Sequence, residues 1–89
     1  MADEDIHAQL DALRADVDRI DAEIVRLLSD RAKVVMNIRD LKASHNVAIY
    51  DPRREQEIYD KIIAASDGTL YADALRDIYD CILRHMKEL

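Results

Sequence analysis

Residues 5–44 read DIHAQLDALRADVDRIDAEIVRLLSDRAKVVMNIRDLKAS, forty residues with neither glycine nor proline. Stepping from Ile6 by four and three residues in turn reaches Leu10, Leu13, Val17, Ile20, Ile24, Leu27, Arg31, Val34, Ile38 and Leu41. Ten of these eleven positions are apolar, the 3.5-residue period of a long helix that packs along one seam. Acidic Asp3, Glu4 and Asp5 suit the positive N-terminal end of such a helix, which is placed at about Asp5 to Ser44.

Beyond the seam, Asn46 to Tyr50 reads as a short loop, and Asp51-Pro52 announces a second helix. Asp is a good N-cap, and Pro at the first helical position gives up a hydrogen bond that the helix could not make. Ile58, Tyr59, Ile62 and Ile63 form its apolar stripe until Asp67-Gly68 ends it. A third helix runs from about Tyr71 to the end of the chain, with Leu75, Ile78, Tyr79, Ile82, Leu83 and Met86 on one face. Cys81 lies beside that face and is expected to be a buried, small apolar residue. The fold class is therefore all-α, three helices in one domain over residues 1–89. One glycine, one proline and four aromatic residues fit helices better than a sandwich or barrel.

A forty-residue helix spans roughly 60 Å, whereas a compact domain of this length has a radius of gyration of about 12 Å. Two short helices cannot cover such a seam, so it must meet another chain, and a symmetric dimer is the commonest solution. An intertwined antiparallel homodimer is expected.

Composition narrows the function. The net charge of −6 argues against a nucleic-acid partner, which calls for a basic face. No apolar run approaches membrane length, and Met1 to Asp5 lacks the pattern of a signal peptide, so a cytoplasmic location is the default. A lone cysteine permits no internal disulfide, and His7, His45 and His85 are too scattered for a metal motif, so no metal is expected.

Arg31 interrupts the seam. A buried guanidinium needs an anionic partner, supplied by an internal Asp or Glu, by solvent at the end of a snorkelling side chain, or by a ligand. Arg31 and Lys42 are eleven residues apart, close to three turns, and so lie on nearly one face. Arg14 lies about 42 Å from Lys42 along the same helix, too far to share a small ligand within one chain. If two such helices pair antiparallel about their midpoints, Arg14 of one chain faces the level of Val35 in the other, between Arg31 and Lys42. Three cations then converge, twice per dimer. Asp51, Arg53, Arg54 and Glu55 lie near Lys42's end of the long helix. Asp51 and Glu55 have ordinary explanations as a cap and a first-turn acid, and Arg53 as a solvated charge. Arg54 opposes the helix dipole, which favours a binding role.

The joint order of Leu13-Arg14, Ile20-Asp21, Leu27-Leu28 with Arg31, Lys42 and Asp51-Pro52-Arg53-Arg54-Glu55 resembles the all-helical (type II) class of chorismate mutases over nearly the whole chain. The resemblance implies a dimer that rearranges chorismate to prephenate in aromatic amino-acid biosynthesis, with no cofactor or metal. It implies that Arg31 and Arg14, the latter donated in trans, hold the two substrate carboxylates with support from Arg54. It further implies that Lys42 bonds a carboxylate and the ether oxygen, while Asp51 and Glu55 engage the hydroxyl and help to orient Lys42. Lys42 and Arg31 are the expected catalytic groups. The chemistry suits such residues: a pericyclic step needs orientation and stabilisation of charge on the ether oxygen, not a nucleophile.

One departure bears on rate. The family places a small polar residue late in the third helix and a Gln or Glu donor one turn later. By count these fall on Met86 and beyond Leu89, so weak activity is expected of residues 1–89 unless Lys87 or Glu88 substitutes. Two alternatives share the scaffold: an isochorismate pyruvate-lyase, and a non-catalytic or regulatory dimerisation domain of a fused shikimate-pathway enzyme.

Overall fold

The computed structural model describes the backbone of residues 2–89 and the side chains of residues 5–89. It is all-helical, with α1 over Ala2–Ser44, α2 over Pro52–Ala65 and α3 over Ala72–Lys87. No strand occurs among the described residues. The side chains of Asp3 and Glu4, expected to favour the start of α1, lie outside the described residues. The chain divides into two compact units, Met1–Lys33 and Val34–Leu89.

The first unit is helix alone. Its surface is laced by ion pairs one turn apart: Arg14–Asp11 at 3.9 Å, Arg19–Asp16 at 3.4 Å, Arg26–Asp30 at 3.0 Å, and Arg26 with Glu23. Exposed pairs of this kind add little, so they favour helix without fixing any tertiary structure. No described residue of this unit is buried.

In the second unit, α1 closes through a Schellman arrangement. The N–H of Val47 donates to Lys42 O at 2.9 Å and that of Asn46 to Ala43 O at 3.5 Å. Asn46 carries the left-handed turn at φ 55°, which its short polar side chain tolerates better than most. Asp51 caps α2 as the sequence suggests, its Oδ1 accepting from Arg54 N at 3.3 Å, with Pro52 at the first helical position.

The end of α2 differs from expectation. The helix stops at Ala65, because Ser66 turns extended and its Oγ accepts from Gly68 N at 3.1 Å. Asp67 Oδ1 then accepts from Thr69 N at 2.9 Å. Gly68 sits inside this turn at φ 90°, a conformation that suits glycine, and does not terminate the helix. The Thr69 backbone and hydroxyl bonds hold the Asp67 carboxyl below its ordinary value. A depressed pKa stabilises the fold above the unfolded value, and that contribution disappears as pH falls through the folded one. The stability difference between wild type and Asp67→Asn, read from denaturant midpoints, should therefore be larger at pH 6 than in acid, shrinking as pH falls through the lowered Asp67 pKa.

Packing is concentrated between α2 and α3. Ile58, Tyr59, Ile62, Leu75, Tyr79, Ile82 and Met86 are half-buried around Leu83, the one buried residue among those described. Tyr59 clasps the pair: Arg76 stacks 4.3 Å from its ring centroid, and its hydroxyl donates to Asp80, which raises the phenol's pKa. Two stripe positions leave the core, Ile63 and Ile78, both exposed. Cys81 corrects the sequence reading: it is exposed, because the α2–α3 contact takes the Leu75, Tyr79, Ile82, Leu83 and Met86 stripe and leaves its position off that face. Its sulfur instead accepts a long contact of 3.7 Å from Arg84.

All ten apolar seam positions of α1 remain 39–62% exposed, in both units. No helix among the described residues is long and apolar enough to cross a membrane.

Candidate active site

Arg31, Arg39 and Lys42 are half-buried, and every other lysine and arginine is exposed. The chain carries nineteen Asp and Glu, yet none of these three pairs with one among the described residues. Arg39 is satisfied otherwise: it donates to Lys87 O at 3.1 Å and to Leu89 O, covering carbonyls that the last turn of α3 leaves open. Arg31 and Lys42 stand apart as half-buried cations without an anion among the described residues. An internal ion pair, the ordinary explanation for Arg31, is not found among the described residues.

In the first unit, Arg14 is exposed and reaches Asp11 at 3.9 Å, while Arg31 lies on the same helix near the unit's end. In the second unit, Lys42 Nζ donates to Ile49 O at 3.3 Å, pinning the loop that follows α1. An ammonium has three N–H donors, so two remain available. Asp51 spends one carboxylate oxygen on the cap. Arg54 is exposed and pairs with Glu57 at 3.5 Å, a weak surface contact.

Glu55 is the least exposed carboxylate in any ion pair, its side chain 24% accessible. Its Oε1 meets Lys87 Nζ at 2.5 Å, and Lys87 also sits 5.1 Å from the centroid of the Tyr50 ring. The Glu55 bond raises the Lys87 pKa against the opposing effect of burial. Lys42 is therefore oriented by the Ile49 carbonyl, while Glu55 is engaged by Lys87. The second unit brings Lys42, the 45–50 loop, Glu55 and Lys87 to one corner where α1, α2 and α3 meet. Lys87 and Arg39 carry no local sequence signal for these contacts. Lys87 in the last turn of α3 reads simply as a cation at the favourable end of a dipole.

An all-helical domain of three helices, with an uncovered apolar seam and two half-buried cations lacking anions, is the class these features define. Comparison with known proteins gives the family. The sequence model of the family described as chorismate mutase type II matches residues 13–89. A bifunctional chorismate mutase/prephenate dehydratase of Aquifex aeolicus is 41% identical over 75 residues, covering 80% of this chain and 21% of that protein. A chorismate mutase of Methanocaldococcus jannaschii is 33% identical over 54 residues, covering 61% of this chain and 54% of that one. The solved structure of chorismate mutase (form II) from Thermus thermophilus superposes with a TM-score of 0.87 at 33% identity, covering 91% of this chain and 92% of the other. The chain belongs to the chorismate mutase type II family. It spans about a fifth of the bifunctional Aquifex relative and about half of the Methanocaldococcus one.

Proposed function

We propose that the chain is an isomerase that converts chorismate to prephenate in the cytoplasm, as a homodimer with two equivalent sites. The observation that carries this reading is the pair Arg31 and Lys42, half-buried and without carboxylate partners among the described residues, in a chain of net charge −6. Both are more shielded from water than the exposed lysines and arginines of the chain, and an anionic occupant would take N–H donors that no described carboxylate takes. Family membership supplies the dicarboxylate.

The exposed seam of α1 and the single buried residue among those described support the dimer, since so much uncovered apolar surface marks an interface. In this arrangement Arg31 and the partner subunit's Arg14 take one substrate carboxylate each, Arg54 adds charge nearby, and Asp51 and Glu55 accept from the ring hydroxyl. Arg is suited to this because its fork matches a carboxylate. Lys42 donates its free N–H groups to a carboxylate and the ether oxygen. The ether C–O bond breaks as a C–C bond forms within the same molecule, so no leaving group, proton or electron has to be supplied. Clamping both carboxylates holds the enolpyruvyl arm over the ring, and Lys42 meets the charge that develops on oxygen.

Following chorismate loss by absorbance, with isochorismate assayed beside it, tests the reading. Prephenate formed from chorismate is expected. Pyruvate released from isochorismate alone would replace the mutase by a lyase, and binding of chorismate without turnover would leave a regulatory dimerisation domain.

A further inference from the structure

Lys87–Glu55 is unlike the other ion pairs among the described residues. Those others join residues three or four apart in sequence, whereas this one ties the last turn of α3 to the first turn of α2. It is also anchored from behind. Arg39 of α1 holds the carbonyls of Lys87 and Leu89, and Tyr50 lies under the Lys87 ammonium. A long side chain fixed at its backbone and at its tip loses less freedom on pairing than a surface lysine usually does.

Glu55 faces several other ionisable groups. Its own helix supplies Tyr59 one turn on and follows from Asp51, whose carbonyl accepts from Glu55 N at 3.3 Å. The preceding loop supplies Tyr50. From α1 come Lys42 and Arg39, whose donors go to backbone carbonyls. From α3 come Lys87, and Asp80 through its bond with Tyr59. A dianionic substrate bound beside Glu55 would add like charge to this corner. Among the described residues, Lys87 is the one cation in direct contact with the Glu55 carboxylate.

We propose that Lys87 is a positioning residue of the active site: it keeps Glu55 ionised beside a dianionic substrate and aims the carboxylate at the ring hydroxyl. The inference rests on the mutase reading above. An ionised carboxylate is acceptor-only, so Glu55 can receive a hydroxyl hydrogen without offering one. With Oε1 engaged by Lys87, Oε2 is the oxygen left for that hydroxyl. Lys87 itself touches neither substrate nor reacting atoms.

Lys87→Met and Lys87→Arg separate this role from simple packing, since methionine keeps the stem over Tyr50 and arginine keeps the charge. Two measurements are made on each dimer: the pH profile of kcat/KM for chorismate, and the Glu55 carboxyl titration followed by carbon NMR. In Lys87→Met the Glu55 midpoint should rise by about one pH unit, the acid limb of kcat/KM should move with it, and kcat/KM near pH 6 should fall about tenfold. Lys87→Arg should restore all three. An unmoved Glu55 midpoint in Lys87→Met overturns the proposal, as does an equal loss in both variants with an unchanged acid limb. A wild-type chain that binds chorismate without converting it would refute the mutase reading, and the Glu55 midpoint with chorismate bound would still decide the role of Lys87.

Discussion

Lys42→Ala is expected to lower kcat for chorismate by about 10²–10³-fold while the helical circular dichroism stays unchanged. The separation of the two effects follows from where the ammonium is held. Its one partner among the described residues is the Ile49 carbonyl, an exposed loop acceptor that water can serve equally well, so removing it leaves no buried group unsatisfied. The stability cost should stay within about 1 kcal/mol. In the proposed site, by contrast, one of the two remaining N–H groups meets the ether oxygen, whose charge grows only as the bond breaks. A donor whose interaction strengthens in the transition state is read in kcat, and uniform binding is read in KM. Following the loss of chorismate absorbance at saturating substrate checks this. Equal kcat values for the two proteins would defeat the mechanism.

Mixing two inactive variants, Arg14→Ala and Lys42→Ala, should regenerate about a quarter of wild-type activity once their subunits exchange. Random exchange makes about half of the dimers mixed, and each mixed dimer rebuilds one complete site of its two. That site takes Lys42 from the Arg14→Ala chain and Arg14 from the Lys42→Ala chain. The opposite site carries both lesions. If Arg14 served the site of its own chain, every site would lack one cation and mixing would restore nothing. Assaying the equilibrated mixture against each parent distinguishes the two. The exposed surroundings of Arg14, whose carboxylate contact at 3.9 Å is loose, leave its guanidinium free for such a role.

Much of this fold is legible because its signals are local. Asp51-Pro52 marks the start of α2 through the chemistry of one cap, which needs only neighbouring residues. Arg31 stands out because it interrupts an otherwise apolar period. The end of α2 is harder to read: Ser66 and Asp67 build their own turn with Gly68 and Thr69, so the glycine marks the loop and not the helix terminus. Cys81 and Ile78 show the limit of periodicity, which gives a stripe but not the width of face that a neighbouring helix covers. The contacts of Lys87 with Glu55 and of Arg39 with the end of α3 depend on chain segments far apart in sequence. No propensity or motif encodes them. Side-chain reach across a packed corner does, and that corner exists only after folding.

The uncovered stripe on α1 also bears on how this sequence can drift. In the two-fold assembly proposed above every codon is expressed at both ends of one axis, so a cavity or a stray charge introduced at Leu13 or Ile24 would be suffered in duplicate. Residues such as these, which look like tolerant surface in a lone chain, should accept fewer replacements than their accessibility suggests.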